Sequence, residues 1–147
     1  MIIGEYKSKV GEKKRIAIPK KFRNEIGNKL ILTRGYENCL VLVSEDQWKG
    51  IASEVLNGSF INRDIRDTSR FLVGSATEVE PDAQGRIVIP QPLYEHAHLE
   101  DEVTFLGLGN WIEIWSSQEW EKRLSYLQEN GDQIAQEITK LNSKNNG

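Results

Sequence analysis

Five residues occur twice in this chain. Arg15-Ile16-Ala17-Ile18-Pro19 returns as Arg86-Ile87-Val88-Ile89-Pro90, displaced by 71 positions. Further on, Gly35-Tyr36-Glu37-Asn38 answers to Gly107-Leu108-Gly109-Asn110 at a displacement of 72. The apolar runs 39–43 and 111–115 keep that displacement, as do Ser44 with Ser116 and Trp48 with Trp120, so one inserted residue aligns the halves. A structural unit that recurs in this order marks a tandem duplication, and units this short bury their apolar faces against one another. The chain is thereby divided into a first repeat at 1–56, a helical connector at 57–74, a second repeat at 75–127, and a C-terminal helix and disordered tail at 128–147.

Each repeat reads in the same coarse order. A short strand (5–10; 76–80) leads through a polar turn into an apolar strand that proline ends. Ile16 and Ile18, like Ile87 and Ile89, recur at the strand period of two. Pro19 and Pro90 close those strands because proline has no N–H for the ladder. Phe22/Ile26 and Leu93/Ala97, four apart, predict a short helix after each proline. Two more strands follow, 29–33 with 40–43 and 102–106 with 112–115, around turns whose Gly and Asn residues suit positive φ. Ser44-Glu45-Asp46-Gln47 has the form of a capping box, opening a helix with the stripe Trp48, Ile51, Ala52 and Val55. A second helix is expected at 62–72. The C-terminal helix carries Trp120, Leu124, Leu127, Ile134, Ile138 and Leu141 at three–four spacing, with a break expected at Asn130-Gly131 and disorder at 142–147. That seam suits either packing on the chain's own barrel or a contact between copies. The fold class is α+β.

Catalytic and metal-binding classes find little support. The two histidines, His96 and His98, lie at i, i+2, on opposite sides of a helix, with no second ligand cluster to complete a metal set. No activated nucleophile stands near them. Gly107-Leu108-Gly109 follows a strand but precedes another strand, which is not the setting of a phosphate-binding loop. We therefore expect no catalytic residues, no metal, no cofactor and no small-molecule substrate. Cys39, the single cysteine, sits in an apolar run and is expected to be a buried structural thiol. No stretch approaches the ~18 apolar residues of a membrane span, and the first residues lack the pattern of a signal peptide, so a cytoplasmic location without membrane association is expected.

Charge is what remains to be explained. The net charge is −3, but residues 1–30 carry nine basic groups against three acidic ones, whereas residues 75–101 carry one against six. Local fields matter more than net charge to a polyanion, because screening confines them to about 8–10 Å. The turn before each Arg-Ile-x-Ile-Pro reads Gly11-Glu12-Lys13-Lys14-Arg15 in one repeat and Asp82-Ala83-Gln84-Gly85-Arg86 in the other. In the second, a structural reading is available: Arg86 can pair with Asp82 and lock the turn. In the first, Gly11 replaces the acid, and three adjacent cations call for an anion between them. Nucleic acid is the commonest such partner, with Lys and Arg on phosphates and arginine able to grip guanine bidentately.

These residues resemble the MraZ family. The likeness rests on the opening Gly4-Glu5-Tyr6, the duplicated motif, the connecting stretch from Arg70 to Glu80, and the second repeat through Gly107-Leu108-Gly109-Asn110-Trp111. The resemblance implies two AbrB/SpoVT-type swapped-hairpin repeats folded into one β-barrel with flanking helices, and protomers assembled into a homo-oligomeric ring. It implies a nucleoid-associated transcriptional regulator of double-stranded DNA, with repression the expected effect, recognising short promoter direct repeats upstream of the division and cell-wall gene cluster. The family's Asp-x-x-Gly-Arg loop maps onto Asp82, Gly85 and Arg86; in the first repeat only Arg15 matches, with Gly11 and Lys14 departing. The expected DNA surface is Arg15 as base reader with Lys13, Lys14, Lys20 and Arg23, joined from the second repeat by Gln84 and Arg86. The rival reading is an oligomeric interaction module or antitoxin-like scaffold without specific DNA binding.

Overall fold

Proline supplies the punctuation of both halves. The Pro19 carbonyl accepts the N–H groups of Phe22 and Arg23 at 2.9 and 3.0 Å, and that of Pro90 accepts those of Leu93 and Tyr94 at 3.1 and 2.9 Å. A strand that has lost its donor thus turns directly into a helix. The computed structural model describes residues 1–146. The elements are β1 (Ile2–Lys9), β2 (Arg15–Ala17), α1 (Lys20–Ile26), β3 (Leu30–Arg34), β4 (Leu40–Ser44), α2 (Glu45–Leu56), α3 (Arg63–Thr68), β5 (Thr77–Val79), β6 (Arg86–Val88), α4 (Gln91–His96), β7 (Glu102–Gly109), β8 (Ile112–Ser116) and α5 (Ser117–Asn146). They divide into two units, Met1–Ser117 and the remainder of α5 from Gln118.

The repeats do not fold side by side; they interleave. β1 of the first pairs antiparallel with β7 of the second, β5 of the second with β3 of the first, β4 with β8, and β2 with β6. The result is a mixed α+β protein with a six-stranded antiparallel sheet, β1-β7-β8-β4-β3-β5, and a separate two-stranded ribbon, β2-β6. A closed barrel was the expectation; the sheet is open. Its end strands β1 and β5 each have one partner, and β2 and β6 pair only with each other, so nothing closes the ring of hydrogen bonds.

Register also revises the alignment. Leu32 pairs with Leu42 in one hairpin, and Phe105 with Ile114 in the other. Leu32 and Phe105 are therefore equivalent at a displacement of 73, flanked by stretches at 71 and 72. Two residues are added between α4 and β7, where His98 adopts φ 51°, and one is lost from the β7–β8 turn. The single insertion read from the sequence is the net of these two changes.

Ile16, Ile18, Ile87 and Ile89 all point inward and are buried, joining Phe22, Leu32, Leu42, Leu93, Phe105 and Ile114 in one core drawn from both repeats. Ser44 caps α2 as its sequence predicts, its hydroxyl accepting the Gln47 N–H at 3.2 Å. The connector is helical in two styles: α3, capped by the Asn62 side chain, runs into a π-helical turn at Ser69–Val73. Phe71 in that turn stacks on Tyr36 with ring centroids 5.0 Å apart. Cys39 is buried, its thiol donating to the Tyr36 carbonyl at 3.1 Å. Burial, reinforced by Glu113 and Glu37, raises its pKa far above the ordinary thiol range. A thiol held protonated in this way is a poor nucleophile.

The helix α5 departs from expectation in continuity. It runs unbroken through Asn130 and Gly131, so the expected break is not found; Gly147 lies outside the described residues. One interior glycine costs a helix only about 1 kcal/mol relative to alanine. Asn130 also turns its amide back to the Tyr126 carbonyl at 2.9 Å, and Lys140 pairs with Glu137 one turn earlier at 3.4 Å. No helix of the described residues is long and apolar enough to cross a membrane.

Candidate nucleic-acid interface

Because β2 and β6 pair as Arg15↔Val88, Ile16↔Ile87 and Ala17↔Arg86, the ribbon has two unlike faces. Ile16 and Ile87 face the core. Arg15, Ala17, Arg86 and Val88 face outward, with the two arginines on a diagonal, ~7–8 Å apart at the backbone. The ladder continues past the assigned strands: Ile18 N–H donates to the Gly85 carbonyl at 3.0 Å and Ile89 N–H to the Lys14 carbonyl at 3.1 Å. Each repeat's loop is thus tied to the other repeat's strand.

The second loop is locked. One Asp82 carboxylate oxygen accepts the backbone N–H groups of Gln84 and Arg86, both at 2.9 Å; the other accepts Arg86 Nε at 2.9 Å. The backbone bond from Arg86, then its side chain and the Gln84 N–H, hold the Asp82 carboxyl below its ordinary 3.8. Gly85 sits at φ 78°, where a side chain is strained, and a Cβ there would overlap the guanidinium of Arg23. That guanidinium donates to the Gln84 carbonyl at 2.9 Å, while its Nε is buried without a partner.

The first loop is closed in the same way but turns differently inside: Arg15 N–H donates to the Glu12 carbonyl, where in the second loop Gly85 N–H donates to that of Asp82. Gly11 N–H donates to the Arg15 carbonyl at 2.8 Å, as Asp82 N–H does to Arg86 at 2.9 Å. No side chain at Gly11 reaches back. Lys13 and Lys14 both adopt φ 58°, and each non-glycine residue in that region costs about 1–2 kcal/mol. Where Gly85 is covered by Arg23, Lys14 lies over the Tyr94 ring, Nζ 5.4 Å from its centroid. Among the described residues, no carboxylate and no hydrogen-bond acceptor engages the Arg15 guanidinium. Arg86 is held; Arg15 is free.

The seven residues singled out from the sequence, five from the first repeat and two from the second, fall at several places around the ribbon. Arg15 and Arg86 share the outward face of the ribbon, and Lys13 and Gln84 stand exposed at the two loop tips. Lys14 occupies the inward register, against α4. Lys20 and Arg23, expected beside Arg15 as first-repeat contacts, line the same groove as Pro81, Asp82, Ala83 and Gly85 of the second loop. Interleaving carries them across: the helix after β2 lands beside the partner repeat's loop. Val88 and Ala17, the other outward positions, went unnoticed, although the period of two in Arg-Ile-Val-Ile-Pro already marks them as outward. His96 is structural in setting, with Nε2 3.0 Å from the Gly35 carbonyl and its ring against Phe71.

An exposed antiparallel ribbon bearing diagonal arginines, built from two interleaved repeats, defines a β-ribbon protein equipped to meet a polyanion. Comparison with known proteins places it more narrowly. The sequence matches the family described as "MraZ protein, putative antitoxin-like" twice, over residues 1–71 and 72–142. It is 44% identical over 141 residues to a protein named transcriptional regulator MraZ from Alkaliphilus oremlandii, covering 96% of this chain and 99% of that one. Against the proteins of the same name from Alkaliphilus metalliredigens and Caldanaerobacter subterraneus, identity is 42% and 39%, covering 96% and 97% of this chain and 99% of each relative. The chain belongs to the MraZ family.

Proposed function

We propose that the chain is a cytoplasmic, sequence-specific DNA-binding transcriptional regulator, and that it reads the major groove with the outward face of the β2–β6 ribbon. The observation that carries this reading is Arg15, an arginine on a two-stranded ribbon with no partner among the described residues. The major groove admits such a ribbon, and an arginine there meets guanine O6 and N7 with two parallel hydrogen bonds. Lys13 and Lys20, exposed and without carboxylate partners among the described residues, serve as phosphate contacts. Arg86 acts as a second, pre-oriented reader, and Arg23 acts by fixing the loop that presents it. In this reading the protein binds and does not catalyse.

The finer features follow from family likeness and geometry together. Strand exchange between the repeats is the pattern of a swapped hairpin. Few phosphate contacts per protomer make a single copy weak, so a homo-oligomeric ring facing several direct repeats would gain about 10²–10⁴ through avidity. The operator lies upstream of the division and cell-wall gene cluster, the protein's own gene included, and occupancy there represses. An anisotropy titration with that upstream DNA, a scrambled duplex and two salt concentrations tests the reading. Preference for the upstream duplex, affinity falling steeply with salt, and loss of preference in Arg15→Ala are expected. Equal binding of both duplexes by the wild-type chain would overturn it in favour of an interaction module.

A further inference from the structure

The outward face of the ribbon holds two residues that charge does not explain. Val88 is 51% exposed and stands directly across from Arg15; Ala17 stands across from Arg86. A strand face that only meets water carries polar residues at such positions. Here both non-arginine positions are apolar, and the larger one lies beside the free guanidinium. Nothing in the core requires this, since Ile87 and Ile89 supply the buried contacts of that strand.

We propose that Val88 is a specificity residue that reads the 5-methyl group of a thymine next to the guanine gripped by Arg15. This rests on the DNA-binding reading above. Phosphates and sugars offer a valine little, whereas the thymine methyl is the apolar feature of the major-groove edge. Directly opposed residues of an antiparallel pair have Cβ atoms ~4.5–5.5 Å apart, and base pairs rise by about 3.4 Å. The guanine and the thymine therefore lie one or two steps apart. Ala17, the equivalent position, is shorter, so the methyl contact belongs mainly to the Val88 side. An otherwise two-fold ribbon thereby gains a direction, which suits repeats arrayed head to tail.

The test replaces thymines of the upstream duplex, one at a time, by deoxyuridine, which removes the methyl and leaves every hydrogen-bonding group. Wild-type and Val88→Ala proteins, both as full chains checked by circular dichroism, are titrated against each duplex. One deoxyuridine one or two steps from a guanine should weaken wild-type binding by about fourfold, the effect of one buried methyl group, and should leave Val88→Ala unaffected. Affinity indifferent to every deoxyuridine, or equal losses in both proteins, overturns the inference while leaving DNA binding intact. A Val88→Ala protein whose oligomeric mass changes but whose deoxyuridine response does not would also overturn it, placing Val88 in a contact between copies. Failure of the unmodified upstream duplex to bind preferentially removes both readings.

Discussion

The two loops before the ribbon strands are closed by the same backbone hydrogen bond, Gly11 N–H to the Arg15 carbonyl and Asp82 N–H to that of Arg86, and differ in everything inside it. In the second, Asp82 gathers two backbone N–H groups and the Arg86 guanidinium, and glycine takes the left-handed position under Arg23. In the first, glycine stands where the acid would be, two lysines take left-handed positions, and the arginine has no partner among the described residues. A locked arginine meets its target with little ordering left to do, but its carboxylate partner competes with that target. A free arginine keeps its full charge and must be ordered on binding. Because Ile89 N–H reaches the Lys14 carbonyl and Ile18 N–H reaches that of Gly85, the rigid loop also braces the strand carrying the free one.

The largest effect should come from filling the space that makes the second loop rigid. Gly85→Ala forces a side chain into a left-handed position and displaces the Arg23 guanidinium from the Gln84 carbonyl. A loss of about 2–4 kcal/mol follows from strain and the lost charged hydrogen bond together, read as a lower urea midpoint at unchanged slope. Lys14→Gly, the mirror change, relieves strain while removing the Tyr94 contact and should leave stability nearly unchanged. Equal destabilisation by the two would break the comparison.

Next come the arginines themselves. Arg15→Ala should weaken operator binding by about 1–3 kcal/mol, with stability within ~0.5 kcal/mol of wild type, as for a surface residue without partners. Arg86→Ala should lower both binding and the urea midpoint, because it also strips Asp82 of its charged partner. Measuring both quantities for both variants separates a reader from a reader that is also a brace.

How much of this was legible in the sequence depends on the range of the interaction. Alternating isoleucines, prolines that end strands, the Ser44 cap and the Asp82–Arg86 pair are local, and each appears in the structure as read. Strand exchange is not local. The two repeats carry nearly the same signals, so nothing in β1 says that it will pair with β7 of the other copy. That Lys20 and Arg23 would lie beside the second loop was hidden by that single ambiguity. The open sheet was hidden for a similar reason, since closure depends on whether the end strands meet. The unbroken α5 shows a different limit: one glycine lowers the odds of helix by a fixed amount, which favourable neighbours outweighed.

A smaller effect appears with acid. The Asp82 carboxyl titrates below its ordinary 3.8 in the folded chain, so its contribution to stability is present above that value and disappears as pH falls through the lower folded one. The urea midpoint of Asp82→Asn should therefore lie below wild type near neutral pH and converge on it in acid. A gap that persists unchanged below 3.8 would show that the carboxylate charge is not what locks the loop.

The smallest change asks whether the acid alone separates the loops. Gly11 has φ −90° and ψ −171°, a conformation open to any residue, and a Cβ there would meet only the Arg15 carbonyl, at an ordinary 3.5 Å. Gly11→Asp can therefore be accommodated without strain; because the Arg15 N–H already donates to the Glu12 carbonyl, the new carboxylate is left for the Arg15 guanidinium, the pairing that Arg86 makes with Asp82. Stability should rise by about 0.5–1 kcal/mol, largely because the unfolded chain loses glycine's freedom. Operator affinity should fall, because Arg15 is now shared with a carboxylate. A gain in stability without loss of affinity would mean that a guanidinium held by an acid reads DNA as well as a free one. The asymmetry between the repeats would then rest on Lys14 and Tyr94, and the Lys14→Gly protein would become the one to titrate against DNA.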